Sequence, residues 1–218
     1  MRVCFLGGTH AAQTMAEAAR RRGHEVTDAD HAKIVFIAKD TPTGEDGSRD
    51  LSEIRKMVTH AYETYHWAAI VLCSQVPPGF TRSLDLCGLV NLAETIRIED
   101  AIQRMMHPEM FVIGTMQGDS YRVEIRRYLE SFDCPIFQGS WEDAEFAKIA
   151  INMTLASQVE SATRLAKAAS HYTADWGFIQ RVLRHDSRIG KFAYLTPGDW
   201  RKSSHLLRDA KTLEDAGL

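Results

Sequence analysis

Short apolar runs alternate with amphipathic stretches through the first two thirds of the chain. Arg2-Val3-Cys4-Phe5-Leu6 is an apolar run that stops at Gly7-Gly8. From 10 to 22, Ala11, Met15, Ala18 and Ala19 fall on one helical face, and Gly23 closes the helix. Residues 33–38 form a second buried strand, and Thr41-Pro42-Thr43-Gly44, with Gly47 and Ser48 behind it, forms a loop. A helix over 51–65 and a third buried strand over 68–73 follow, and the strand ends in Ser74-Gln75-Val76-Pro77-Pro78-Gly79. The same pattern predicts strands near 88–92, 111–114 and 135–137, and helices over 99–106 and 119–132. Strands this short and apolar, alternating with helices, predict a parallel sheet covered on both faces.

The pattern changes after residue 138. From Glu142 to His171 there is neither Gly nor Pro. Phe146, Ile149, Ala150, Met153, Ala156, Val159, Ala162, Ala166 and Ala169 recur at helical spacing, which predicts one helix of about eight turns. The stripe drifts around the axis and is not a strict heptad seam. A helix of this length outruns a small sheet and calls for a partner. Shorter helices are predicted over 175–184 and 203–215. The fold class is therefore α/β: a domain over 1–138, then a long helix and a small helical domain over 139–218.

Length limits the sheet. Glu25-Val26-Thr27 is strand-like, yet only five residues, 29–33, separate Asp28 from Ile34. A parallel crossover ordinarily takes a dozen or more. The two segments therefore cannot be adjacent parallel strands, and 24–32 is expected to be a connector from the first helix to strand 33–38.

Composition narrows the function. The chain has 218 residues with 26 basic and 29 acidic side chains, a formal charge of −3, and no basic stripe suited to nucleic acid. No apolar run reaches the ~18 residues of a membrane span. Cys4, Cys73, Cys87 and Cys134 are far apart, with no C-x-x-C and no H-E-x-x-H, so no metal site is expected. Widely spaced, unpaired thiols point to a reducing, cytoplasmic setting.

The opening strand, glycine turn and helix have the layout of a dinucleotide cradle. The three slots of G-x-G-x-x-G hold Gly7, Thr9 and Ala12. Gly7 suits the tight turn and Ala12 the close helix packing, whereas Thr9 stands where a glycine admits the pyrophosphate. A phosphate cradle and a plain strand–helix turn are both compatible with this. Asp28 or Asp30 lies near the distance at which an acid grips a ribose, and without a supporting strand a solvated loop aspartate is expected.

Several motifs then follow in order: Thr41-Pro42-Thr43, Ser74-Gln75-Val76-Pro77-Pro78-Gly79, Glu94-Thr95-Ile96-Arg97, His107-Pro108-Glu109, Ala144-Glu145-Phe146-Ala147-Lys148 with Asn152, Asp186-Ser187-Arg188-Ile189-Gly190, Leu195-Thr196-Pro197-Gly198 and Arg208-Asp209. In order and spacing this set resembles the UDP-glucose/GDP-mannose dehydrogenase family, over residues 1 to about 215. The resemblance implies a reduced Rossmann-like domain and NAD as cofactor, held by Gly7, Thr9, Thr41, Pro42, Thr43 and Ser74. It implies catalytic roles for Lys148, Asn152, Asp209 and Glu94, and substrate contacts from Arg188 and Glu145; His205, in the place of the family's thiol, is either a base or an inert loop histidine. It also implies a nucleotide-sugar ligand and a homodimer through the helix over 142–171. Lys148 and Asn152 share a helix face at i and i+4, a sensible donor pair for a developing alkoxide; a surface Lys beside a helix Asn has the same spacing. Arg188 is equally an ion-pair partner for Asp186.

The departures from the pattern are as informative. Gln75 replaces the threonine of the family's S-T-V-P segment, and Ile98 replaces the second glutamate of P-E-F-L. Where the family carries G-x-G-x-G-G-x-C, this chain has Gly198, Trp200, Lys202, Ser203 and His205. Without a thiolate no thioester forms, so a second oxidation loses its covalent handle. The expected function is an NAD-dependent oxidation of a UDP- or GDP-sugar alcohol in a nucleotide-sugar dehydrogenase-like protein. A non-catalytic binding relative or a dimeric scaffold is the alternative.

Overall fold

The computed structural model describes residues 1–93, 100–117 and 120–217. It divides into two compact units, one of 1–42 with 49–148 and one of 43–48 with 149–218.

The first unit is a seven-stranded sheet, taken in order of sequence as β1 (Arg2–Leu6), β2 (Glu25–Val26), β3 (Ile34–Ile37), β4 (Ala69–Leu72), β5 (Val90–Ala93), β6 (Phe111–Thr115) and β7 (Ile136–Ser140). Spatially the order is β2-β1-β3-β4-β5-β6-β7. Every pairing is parallel except β5 with β6, which is antiparallel. The reading of 33–38 and 68–73 as strands buried on both faces holds, since every residue of β3 and β4 is buried.

Alternation distributes these strands between two layers. Ile34 and Phe36 join a core with Ala18 and Ala19 of α1 (His10–Arg21), Met105 of α3 (Ala101–Met106), and Ile125 and Leu129 of α4 (Val123–Glu130). Val35 and Ile37 face the other way, onto Ile54, Val58 and Ala61 of α2 (Ser52–Thr64). An α/β sandwich with helices on both faces is thereby closed.

The connector over 24–32 requires a correction. Its first residues form β2, which pairs with β1 on the side opposite β3. The two strands are not neighbours; they flank β1 and run parallel to it. Seven residues, 27–33, suffice for the crossover because β2 is only two residues long. The crossover holds a 3-10 turn over Ala29–His31, and Ala29 and Ala32 are buried in the α2 layer. Side-on backbone bonds complete it: Thr27 N donates to Val3 O at 3.0 Å and Lys33 N to Arg2 O at 2.9 Å.

The long helix α5 runs Trp141–His171, one residue earlier than its pattern predicts. The division between units falls inside it, between Lys148 and Ile149. In the second unit α5 is followed by α6 (Trp176–His185) and α7 (Ser204–Asp215). Ile149, Ala156, Ala162 and Ala169 of the predicted stripe are buried, while Phe146 is 45% exposed. The stretch between α6 and α7 returns along α5: Tyr194 N donates to Gln158 Oε1 at 2.9 Å, and Gly198 N to Thr163 Oγ1 at 2.9 Å. No described helix is long and apolar enough to cross a membrane.

Candidate functional site

Loops at the carboxyl ends of β1, β3 and β4 form one edge of the first unit, the edge at which open parallel sheets bind ligands. The first loop is the glycine turn. Gly7 has φ +127°, and a Cβ there would lie 2.2 Å from Ala38 O, so no other residue fits. Gly8 has φ +66° and nothing within 4 Å of where a Cβ would stand. Thr9 is the N-cap of α1: its hydroxyl accepts from Ala12 N at 3.1 Å and donates to Ala38 O at 2.6 Å. The threonine in the second glycine slot thus serves the helix terminus and ties it to the end of β3.

The next two loops are stitched together. Lys39 N donates to Ser74 Oγ at 2.8 Å, and Thr41 Oγ1 donates to Gln75 O at 2.9 Å. Ser74 and Thr41 are both buried. Gly7, Thr9, Thr41, Pro42 and Ser74 are therefore all in the first unit, while Thr43 opens the short segment of the second. Asp28, an exposed side chain, accepts from His31 N at 3.3 Å and contacts His31 Nδ1 at 2.6 Å.

Glu145, on the first turns of α5, is 3% exposed. Its Oε2 accepts from Gly79 N at 2.6 Å and its Oε1 from Thr81 N at 2.8 Å. Burial pushes its carboxyl above the ordinary carboxylate range, against the pull of the Thr81 and Gly79 bonds. Resemblance assigns Glu145 to a substrate; in the structure its carboxylate accepts from two backbone amides of the loop after β4. Sequence reading supplies no signal for that contact, which spans 64 residues. Lys148, half-buried, lies one turn further along the same helix.

In the second unit, Asn152 and Asp209 meet: Asn152 Nδ2 donates to Asp209 Oδ2 at 2.7 Å. Asp209 is fully buried and Arg208 beside it is buried. His205 is exposed on α7, one turn ahead of Asp209. Arg188 makes a two-point contact with Asp186, Nε on Oδ1 at 3.0 Å and Nη2 on Oδ2 at 2.6 Å. Glu94 lies outside the described residues. Cys4 and Cys73 are buried, Cys134 is half-buried and Cys87 exposed, all in the first unit and none of them in a disulfide. Among the described residues, no three His, Cys, Asp or Glu side chains gather as a metal site.

No family model matches the chain. It is 28% identical over 196 residues to a putative UDP-glucose 6-dehydrogenase, YtcA, of Bacillus subtilis, covering 84% of this chain and 46% of that protein. It is 28% identical over 177 residues to a UDP-glucose 6-dehydrogenase of Pseudomonas aeruginosa, covering 73% and 39%. The chain spans less than half the length of these curated relatives. Among solved structures, a UDP-glucose dehydrogenase from Pyrobaculum islandicum superposes with a TM-score of 0.78 at 20% identity, over 100% of this chain and 64% of that one. A GDP-mannose dehydrogenase ternary complex from Pseudomonas aeruginosa superposes with a TM-score of 0.66 at 22% identity, over 84% and 47%.

Proposed function

We propose that this chain, a relative of the UDP-glucose dehydrogenases in sequence and in fold, binds NAD at the glycine turn and takes one hydride, not two, from a UDP- or GDP-sugar alcohol. The observation that carries the restriction is the placement of thiols. All four cysteines lie at or before residue 134, and exposed His205 stands where the family pattern puts the nucleophile. An alcohol oxidised once leaves an aldehyde, and with no thiolate to add to it the second oxidation has no covalent handle.

The glycine turn fits a dinucleotide phosphate. Gly7 admits the chain's close approach to Ala38, Gly8 leaves open space, and α1 presents its N-terminal amides. When bound, NAD supplies the hydride acceptor. The protein's own part is orientation and charge. Ser74 and Thr41 hold the loops after β3 and β4 to one another, and the Lys148 ammonium stabilises the alkoxide that develops as the hydroxyl proton passes to solvent. Arg188 is the substrate contact that the resemblance suggests, Asn152, Asp209 and Glu94 are the remaining catalytic positions, and His205 is the group in the nucleophile's place. The same reading includes a cytoplasmic protein and a homodimer through the helix over 142–171.

A second reading, a nucleotide-sugar binder without turnover, is favoured by Asp28 and Thr9. Asp28, one of the two acids at the sequence distance of a ribose-binding acid, is bonded to His31, and the Thr9 hydroxyl accepts from the Ala12 amide.

A thermal-shift panel with NAD, NADH, UDP-glucose and GDP-mannose separates the two. A ligand at about 100 times its Kd stabilises by ~2.7 kcal/mol. The enzyme reading expects an NAD response and one NADH per sugar nucleotide, followed by the near-ultraviolet absorbance of the reduced nicotinamide. Two NADH per sugar nucleotide refutes the single oxidation. A response to sugar nucleotide alone, with no NADH, favours the binder.

A further inference from the structure

Burying a carboxylate is expensive unless its oxygens are paired. Glu145 is nonetheless buried on α5, and both its oxygens are used on one short stretch of loop, Gly79 and Thr81. An amide at this position offers one acceptor oxygen and an NH2 that would face an N–H donor, so only a carboxylate accepts both bonds. The stretch it grips is stiffened on either side. Pro77 and Pro78 precede Gly79, which turns at φ +88°, and buried Thr81 accepts a 3.4 Å contact from Asn91 Nδ2.

The neighbouring contacts act in the same place. Arg82 Nη2 meets Glu142 Oε2 at 2.8 Å, and its guanidinium lies over the Trp141 ring at 5.3 Å. Trp141 Nε1 donates to Leu89 O at 2.9 Å. The start of α5 is therefore clamped to the segment that follows β4, and Glu145 is the clamp's buried element. Upstream in that segment, Ser74 and Gln75 hold Lys39 and Thr41. One turn downstream on α5 stands Lys148.

We infer that Glu145 is a positioning residue: it holds the Ser74–Thr81 loop in register with Lys148 and does not itself touch substrate. The inference rests on the proposed role of Lys148 for its consequence in turnover, but not for the latch, which is read without any ligand.

The test uses the full chain with Glu145→Gln and Glu145→Asp. Without ligand, amide hydrogen exchange is followed at 74–81, and acylation of the Lys148 amine is followed by mass spectrometry. Glu145→Gln is expected to raise exchange in that loop ~10-fold, the equivalent of one lost charge-assisted bond, while β3 and α2 stay protected. Lys148 acylation is expected to accelerate, and Glu145→Asp to restore part of both. Unchanged exchange at 74–81, or unchanged Lys148 labelling, overturns the inference. Should Glu145→Gln fail to fold, Glu145→Asp carries both measurements, and an unchanged value in either overturns the inference in the same way. With substrates, kcat is expected to fall and KM for the sugar nucleotide to hold; a raised KM with kcat intact makes Glu145 a substrate contact and overturns it. A wild-type chain that forms no NADH counts against the proposed function alone, since the ligand-free measurements still decide the latch.

Discussion

Asn152 on α5 donates its Nδ2 to Oδ2 of Asp209 on α7 at 2.7 Å, joining two helices through residues 57 apart in the chain. Asp209 has no solvent exposure, and its loss leaves the half-buried Asn152 amide without this partner. Asp209→Ala is expected to destabilise the protein by ~1–3 kcal/mol, read by urea denaturation. Asp209→Asn keeps an acceptor oxygen and should cost less. Equal losses for the two variants would mean the Asn152 bond is not what Asp209 contributes.

The glycine turn separates two kinds of glycine. At Gly7 an added Cβ sits 2.2 Å from a backbone oxygen at φ +127°; at Gly8, with φ +66°, it meets nothing within 4 Å. Gly7→Ala is expected to cost more than about 3 kcal/mol, through strain and a clash with backbone that cannot move aside. Gly8→Ala carries only the left-handed penalty of about 1–2 kcal/mol. Denaturation midpoints of the two variants check the order.

Much of this is legible in the sequence, and the exceptions have physical causes. The helices are marked by apolar faces and by terminators such as Gly23, so their ends fall within a few residues of expectation. β2 is strand-like in sequence but is discounted for its short link to Ile34; that argument excludes only a neighbour of β3, and Glu25–Val26 pairs with β1 on the opposite side. The antiparallel β5–β6 pair escapes it because a run buried on both faces looks the same in either direction. Thr9 reads in sequence only as a missing glycine, although a threonine before a helix is also a capping signal. The Glu145 latch has no local signature at all, since a carboxylate's partners 64 residues away depend on the completed fold.

Thr9 has two bonds to lose. Thr9→Gly removes the hydroxyl from both Ala12 N and Ala38 O, while glycine remains an acceptable N-cap. A stability loss of about 1 kcal/mol is expected, together with a larger NAD response in thermal shift, because the Ala12 amide is released at the helix terminus. A variant that is less stable and no more responsive to NAD would show that the hydroxyl does not compete with the dinucleotide.

His24 gives the fold an acid-sensitive point. Ser131 Oγ donates to Tyr128 O at 2.6 Å, so at its 2.9 Å contact with His24 Nε2 it accepts. His24 Nδ1 is buried with no hydrogen-bond partner, and the ring lies 4.8 Å from that of Tyr128. Burial first, then the N-terminal ammonium, hold the imidazole below its ordinary value of 6.5. The unfolded chain therefore takes up a proton near 6.5 that the folded one refuses. This contribution is complete above that pH and is lost as pH falls from 6.5 toward the folded value. Denaturant midpoints should fall between about pH 7.5 and pH 5.5. His24→Gln, which can still donate to Ser131, should flatten that dependence. An equal fall in both proteins would assign it to other groups.

Two large apolar side chains of α5 face solvent, Phe146 at 45% and Leu165 at 48% exposure, on a helix of 31 residues. Isolated exposed leucines are ordinary, but two large apolar groups on one helix proposed as a dimer interface give the proposal a handle. Light scattering after size exclusion should return twice the 24.6 kDa of the chain at micromolar concentration. Leu165→Glu places a charge that a dry interface cannot pair and should shift the mass to that of a single chain. Circular dichroism checks that the variant keeps its helices. A wild-type protein already monomeric under these conditions means that the helix makes no stable contact between copies, whatever the variant does.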